Sequence, residues 1–190
     1  DHEIAVPMGS GCGTSGAGAL GLAYALNDLF ESGLSSIEAA MIAHQAEVEM
    51  KTGLGTVIGE TFGGIEIRTK PGGPGVGNII QIPLSTPHTI VALIFGPLST
   101  KAYLSDNNAR ERINEHGTLL VDKIIRQPTL HHFLTYSREF TLETGLVTPE
   151  SKVLIEKCGE KGFILGMPIF GNGVFTIVEE GRVDELCSLM

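Results

Sequence analysis

The residues best suited to do chemistry lie in a glycine-rich stretch near the start of the chain, Val6–Gly21, which reads VPMGSGCGTSGAGALG. A strand-like run, Ile4–Val6, leads into it and a helical pattern leaves it. A glycine-rich turn between a strand and a helix directs backbone N–H groups and the positive end of the helix at an anion. The stretch therefore predicts an anion-binding loop. The plain alternative is a tight turn whose glycines serve only close packing.

Two familiar nucleotide-binding loops fit this stretch poorly. The phosphate loop of many NTPases requires GxxxxGK[ST], and no lysine lies near this loop, so that type is excluded. The dinucleotide fingerprint has a literal match in Gly11-x-Gly13-x-x-Gly16, with Glu31 further on. That fingerprint also requires a second parallel strand after the helix. Here the chain runs through FESGLSS into another helical stretch, which disfavours it.

A third type of loop fits better. The run Pro7-x-x-x-Gly11-Cys12-Gly13-Thr14-Ser15-Gly16-Ala17 resembles the phosphate-binding motif of the GHMP kinases, P-x-x-x-G-L-G-S-S-A-A. The chain differs from that motif in having a cysteine in place of the leucine and a threonine in place of the first serine. The segment Ala43–Arg68, AHQAEVEMKTGLGTVIGETFGGIEIR, looks like the next block of the archaeal pantoate kinases. KPGGPGVG and the closing MPIFGNGVFTIV resemble the same branch, so the resemblance covers most of the chain.

The resemblance implies an ATP-dependent kinase whose loop binds the ATP phosphates through backbone N–H groups. The residues implied to do so are Gly9, Ser10, Gly11, Cys12, Gly13, Thr14 and Ser15. Ser15 and Glu47 would also hold Mg²⁺, a hard cation that takes oxygen ligands and keeps several waters. Glu49 is the alternative carboxylate, because two residues spaced by two cannot share a helical face.

The same resemblance implies pantoate as the substrate, whose carboxylate a guanidinium can bind through two parallel hydrogen bonds. Arg68 and His44 match substrate-binding positions of these kinases. Without the resemblance, His44 is equally an ordinary, partly buried histidine and Arg68 a strand-end charge. After TGLG the family has an aspartate that accepts the proton of the substrate hydroxyl, whereas this chain has Thr56. Threonine is too weakly basic for that role, so either the alcohol reacts with little help or this protein is impaired.

The predicted function is phosphorylation of pantoate to 4-phosphopantoate in coenzyme A biosynthesis. Two alternatives stay open: another small-alcohol kinase, of the homoserine or mevalonate type, and a truncated, non-catalytic nucleotide-binding relative. The front segment of the GHMP kinases is missing before Asp1, so we expect absent upstream sequence, an incomplete first domain and weak turnover from this chain alone.

Composition excludes several other classes of protein. The chain of 190 residues has 13 basic and 22 acidic residues and a net charge of −9, which argues against a nucleic-acid binder that neutralises phosphates. Its apolar runs fall short of the ~18 residues that a membrane-spanning helix needs. The three cysteines are odd in number and far apart, which suits a reducing cytoplasm. Related kinases are often dimers, which leaves a homodimer open.

Helical and strand-like segments follow one another without a regular alternation along the chain. We predict helices over Ser15–Phe30 and Ser36–Met50, the second with Ser35 or Ser36 as its N-cap. Two short strands, IEIR and NIIQI, then flank KPGGPGVG, and Thr89–Phe95 is predicted to be a strand buried on both faces.

The second half of the chain is predicted to hold helices and then a strand pair. One helical face is formed by Leu130, Phe133, Leu134, Ser137 and Phe140. Pro149 opens another helix, and Phe163–Val178 is predicted to be a strand pair that turns at Gly171-Asn172-Gly173. This order is α+β. The resemblance implies a GHMP-kinase-like architecture of two domains, residues 1–86 binding the ATP phosphates and residues 87–190 forming a ferredoxin-like C-terminal unit.

Overall fold

The computed structural model describes residues 3–53, 55–97, 107–169 and 171–190. These residues form an α+β fold, as predicted. The helices are α1 (Thr14–Leu29), α2 (Ser36–Met50), α3 (Thr56–Phe62), α4 (Asn107–Arg126), α5 (Leu130–Glu143), α6 (Pro149–Gly159) and α7 (Val183–Cys187). The strands are β1 (Ile65–Lys70), β2 (Asn78–Ile82), β3 (His88–Pro97) and β4 (Gly171–Glu179). Within these ranges, no helix is both long and apolar enough to cross a membrane.

The contacts divide the chain into two compact units. The first contains the residues up to Met8 and Gly13–Ile82, and the second contains Gly9–Cys12 and Pro83–Met190. The predicted boundary between residues 86 and 87 concerns the domains of the whole protein and stays a prediction.

In the first unit, α1 and α2 pack through small and aliphatic side chains. Leu20 of α1, Ala40 and Ala43 of α2 and Val57 of α3 form its buried cluster. Alanine allows two helices to approach closely, which places the polar residues of their facing sides within hydrogen-bonding distance. The two helices begin and end within one residue of the predicted bounds.

Local signals set the start of α2. Ser35 is its N-cap: its hydroxyl accepts the N–H of Glu38, and the Glu38 carboxylate accepts the N–H of Ser35 in return. This reciprocal capping satisfies two backbone donors that an open helix end would leave free.

The rest of the first unit is α3 and an antiparallel hairpin. Strand β1 pairs with β2 from Ile65 opposite Ile82 to Arg68 opposite Ile79, after which the register shifts by a bulge. The intervening KPGGPGVG segment is a turn, as predicted. Helix α3 was not predicted, because its seven residues between Gly55 and Gly63 are too few to display a helical period.

The second unit is built on the antiparallel pair of β3 and β4, with Thr89 opposite Val178. Side chains of α6, β4, α7 and the segment between α6 and β4 form its core. The buried members of this core are Leu154, Ile155, Cys158, Phe163, Leu165, Val174, Val178 and Leu186.

Three strand predictions need correction. Strand β3 is not buried on both faces, since Ile90 is 70% and Phe95 42% exposed; within the described residues β3 pairs only with β4, which makes it an edge strand. The closing segment pairs with itself only through the isolated antiparallel bridge of Gly166 with Phe175, and Gly171-Asn172-Gly173 is not its turn but the start of strand β4. The strand-like run Ile4–Val6 is not a strand, since no described strand lies alongside it to complete a ladder.

Candidate active site

The glycine-rich stretch adopts a backbone that glycine alone adopts readily. Gly9, Gly11 and Gly13 have φ values of 79°, 76° and 74°, in the left-handed region. Gly13 is the N-cap of α1 and carries no side chain to cap the helix. The first N–H groups of α1 therefore depend on another acceptor, which is the feature that makes a helix N-terminus bind anions.

Residues Gly9–Cys12, in the second unit, lie against the start of β4. A methyl group on Gly11 would come within 2.9 Å of the Gly171 backbone, and one on Gly171 would collide with the carbonyl of Ser10. Ser10 is fully buried and its hydroxyl has no partner among the described residues, whereas Cys12 is exposed. The glycine that sequence reasoning assigned to a hairpin turn is thus required for the close approach of two backbones.

In the first unit, the side chain of Ser15 meets that of Glu47. The Ser15 hydroxyl donates to Oε2 of Glu47 at 2.9 Å, and the Thr52 hydroxyl donates to Oε1 at 2.6 Å. Glu47 is only 6% exposed, while Glu49, two residues further on, is exposed. Of the two carboxylates weighed from the sequence, Glu47 is the one held at the start of α1.

Helix α3 brings Thr56 and Glu60 to the same place. A methyl group on Gly13 would lie 2.6 Å from Oε1 of Glu60 and 2.6 Å from Cγ2 of Thr56. One on Gly16 would lie 2.7 Å from Oε2 of Glu60 and 3.2 Å from Cβ of Thr56. The glycines at the head of α1 therefore leave the space that these two side chains fill.

Glu60 is a functional candidate that sequence reasoning missed. Burial, and then repulsion by Glu47, raise the pKa of Glu60 from its ordinary 4.5 to about 7, while the N–H of Ala17 acts in the opposite direction. Strongly raised carboxyl pKa values concentrate at functional sites. The only sequence signal was the spacing of four residues from Thr56, which has meaning only once a helix is recognised there.

Arg68 lies beside the start of α3. Its guanidinium pairs with Glu66 at 3.0 Å and fills the space beside Gly55, the residue before Thr56. Nε of Arg68 and Oε2 of Glu66 are buried and unpaired among the described residues. The arginine therefore retains a donor for a further acceptor.

His44 lies apart from these contacts. Its imidazole packs on Gly73 in the turn between β1 and β2, and its Nδ1 has no partner within the described ranges. The structure thus groups Ser15, Glu47 and Thr56 with Glu60, and places Arg68 against Gly55, the residue before Thr56.

The donor set fits Mg²⁺. The Ser15 hydroxyl and the Glu47 carboxylate are both hard oxygen donors, and they are 2.9 Å apart. Among the described residues no group of three or more His, Cys, Asp or Glu side chains could enclose a metal. One carboxylate and a hydroxyl agree with a cation that keeps its waters and shares phosphate oxygens, rather than one enclosed by protein ligands.

Comparisons with known proteins agree with the predicted resemblance. Residues 2–64 match the family model for the GHMP kinases N terminal domain. A pantoate kinase of Thermococcus kodakarensis is 35% identical over 97% of this chain and 60% of its own length. One of Methanocaldococcus jannaschii is 33% identical over 97% of this chain and 66% of its own length.

Two solved structures are also similar. A phosphotransferase related to the CoA biosynthesis pathway superposes with a TM-score of 0.85 at 33% identity, over 97% of this chain and 60% of its own. A mevalonate diphosphate decarboxylase from Staphylococcus aureus, with a TM-score of 0.58 and 14% identity over 97% of this chain and 62% of its own, shares the fold alone. This chain thus spans only about 60% of the length of the first of its curated relatives. The resemblance predicted from the sequence, to the GHMP kinases and within them to the archaeal pantoate kinases, is confirmed.

Proposed function

We propose that the protein containing this chain transfers the γ-phosphoryl group of ATP to the primary hydroxyl of pantoate, giving 4-phosphopantoate for coenzyme A biosynthesis. The observation that carries the proposal is the hydrogen bond between Ser15 and the buried Glu47 at the start of α1, directly after the glycine-rich loop. The pantoate kinases and the phosphotransferase to which the chain is similar support this choice of reaction.

The loop's role is to bind phosphate. Backbone N–H groups along Gly9–Ser15 would bind the phosphates, since Gly9, Gly11 and Gly13 hold the left-handed backbone that such loops use, and the positive end of α1 would add to their field. Phosphoryl transfer depends mainly on positioning and on neutralising the charge of the phosphates. This loop, with its three left-handed glycines, supplies the positioning.

Ser15 and Glu47 would hold Mg²⁺, which supplies charge neutralisation for the phosphate oxygens when it is bound. Because Ser15 already donates to Glu47, the two ligands are in place before the cation arrives. Thr52 fixes the other oxygen of Glu47 and so limits the rotation of the carboxylate.

Arg68 would bind the carboxylate of pantoate. Its guanidinium is held on one side by Glu66, and its unpaired Nε is the donor that a substrate carboxylate can use. His44, with an unpaired Nδ1, is proposed as the second substrate contact.

The first experiment measures Mg²⁺-dependent release of ADP with pantoate, homoserine and mevalonate in parallel. It is run on this chain and on the full-length protein, each with a Ser15→Ala variant and an exposed-serine control, Ser36→Ala. Turnover of the full-length protein with pantoate alone, lost in Ser15→Ala and kept in Ser36→Ala, supports the proposal. Turnover with homoserine or mevalonate instead favours the other small-alcohol kinases.

The non-catalytic alternative rests on Thr56 standing where the family has an aspartate. Silence of the full-length protein with all three substrates, together with binding of ATP measured by calorimetry, would support that alternative and refute the kinase. A homodimer and a cytoplasmic location are further proposals; sedimentation of the full-length protein and fractionation of its host cells test them.

A further inference from the structure

We propose that Glu60 provides the carboxylate that Thr56 lacks, and that it accepts the proton of the substrate hydroxyl. This inference rests on the proposed kinase function. It assigns a catalytic role to a residue to which the resemblance assigns none, unlike Ser15, Glu47, Arg68 and His44.

The first argument is the geometry of α3. Thr56 and Glu60 are four residues apart, so they lie on the same helical face. A helical side chain leans toward the N-terminus of its helix, so the longer Glu60 side chain extends back over the turn that begins at Thr56. The surroundings of Gly13 and Gly16 at the head of α1 show this, since a methyl group on either glycine would meet the side chains of both Thr56 and Glu60. The Glu60 carboxylate therefore occupies the place beside residue 56.

The second argument is the state of the carboxylate. Oε2 of Glu60 is buried and has no hydrogen-bond partner among the described residues, so it has a free acceptor position. Helix α2 contributes the negative charge of Glu47 to the surroundings of Glu60, whereas the first turn of α1 contains no acidic residue. The neighbour of Glu60 on α3 is the uncharged Thr56.

The proposed step balances as follows. The proton of the substrate O–H passes to a carboxylate oxygen of Glu60 while that substrate oxygen forms a bond to the γ-phosphorus of ATP. The bond from the γ-phosphorus to the oxygen that bridges it to the β-phosphorus breaks, and its electron pair leaves with ADP. Glu60 then returns the proton to solvent. The products are the phosphate ester and ADP.

The test is a swap of the acidic group between the two positions, made in the full-length protein. Glu60→Gln preserves the shape of the side chain and removes its basicity. We expect kcat to fall by about 10²–10³-fold, with KM for ATP and for the alcohol within about threefold of wild type. Adding Thr56→Asp to Glu60→Gln restores at least about tenfold of the lost kcat. Glu156→Gln, on an exposed face of α6, is the matched control.

The outcomes separate the two proposals. If wild type turns over and Glu60→Gln keeps kcat within about twofold, the inference is overturned and the kinase stands. If Glu60→Gln loses kcat and Thr56→Asp restores none of it, Glu60 acts only as a support for the start of α1, and the inference is again overturned. If wild type is silent with every alcohol, the proposed function fails and this inference with it.

A folding control keeps the swap interpretable. Each variant is checked by thermal unfolding and by binding of a fluorescent ATP analogue. Should the double variant not fold, Glu60→Asp replaces it: a shorter carboxylate is expected to retain more kcat than the amide, and equal losses in Glu60→Asp and Glu60→Gln would overturn the inference.

Discussion

Two corners of the first unit, one around Glu47 and one around α3, differ in whether their buried polar atoms have hydrogen-bond partners. Around Glu47, both carboxylate oxygens accept hydrogen bonds, from Ser15 and from Thr52. Around α3, Oε2 of Glu60, Oε2 of Glu66 and Nε of Arg68 are buried without partners among the described residues.

The difference indicates which corner has its hydrogen bonds formed before a ligand binds. Leaving a polar atom buried and unpaired costs about 1–3 kcal/mol, and folded proteins seldom tolerate several such atoms together. The Glu47 corner is a preassembled support. The α3 corner has the acceptors and the donor that a substrate would pair.

The largest effect is expected from removing the Glu47 carboxylate. Glu47→Ala removes the acceptor of two hydroxyls and a proposed Mg²⁺ ligand. We expect turnover to fall on the order of 10³-fold and the free energy of unfolding to fall by ~1–3 kcal/mol, because Ser15 and Thr52 lose their partner. Steady-state kinetics and urea unfolding measure the two losses. A larger loss of turnover in Glu49→Ala than in Glu47→Ala would contradict the assignment.

The next effect concerns the unpaired corner. Arg68→Lys keeps the positive charge but removes the unpaired Nε–H and the planar guanidinium that holds it in place. We expect KM for pantoate to rise by ~10–100-fold, since a hydrogen bond to a charged group contributes ~1.5–3 kcal/mol, with little change in kcat. The exposed Arg126→Lys serves as control. An unchanged KM in Arg68→Lys would remove Arg68 from the substrate site.

A smaller effect is expected from adding a methyl group at Gly16, which follows Ser15 in the chain and faces Glu60. Gly16→Ala places a methyl group 2.7 Å from Oε2 of Glu60, so we expect a roughly tenfold loss of turnover as that carboxylate moves. Gly21→Ala, on the same helix, meets nothing within 4 Å and should instead stabilise the protein by ~0.5–1 kcal/mol. Equal activities of the two variants would show that the position of Glu60 does not matter.

The smallest effect is a pH dependence of stability. The pKa of Glu60 is raised to about 7, so between pH 4.5 and 7 the folded state binds more protons than the unfolded one. Stability without Mg²⁺ should therefore fall as the pH rises through this window, by on the order of 1–2 kcal/mol once solvent screening is allowed for. Thermal unfolding at pH 5 and pH 8 measures it. Glu60→Gln should lose this slope, and a slope that persists in it arises elsewhere.

Local sequence signals explain why α1 and α2 were predicted within one residue. Ser35 and Glu38 form a capping box from neighbouring residues, and both helices are long stretches rich in alanine and free of proline. Helix α3 escaped prediction because it has only seven residues. Gly171 and Gly173 were taken for a turn because a turn and a close backbone contact both require glycine; here Gly171 meets Ser10 and Gly173 meets the carbonyl of Leu93.

The sequence alone predicts the glycine-rich loop, the helix that follows it and the resemblance to the GHMP kinases, and through that resemblance it proposes roles for Ser15, Glu47 and Arg68. These depend on residue types and short spacings, which a linear chain displays directly. The tertiary structure agrees that Glu47, 32 residues further along the chain, is the carboxylate that meets Ser15, and it alone reveals that Glu60 reaches Gly13 and Gly16. The physical reason is that burial and like-charge repulsion depend on the packing of α1, α2 and α3 against one another, and a carboxylate acquires its chemistry from those neighbours.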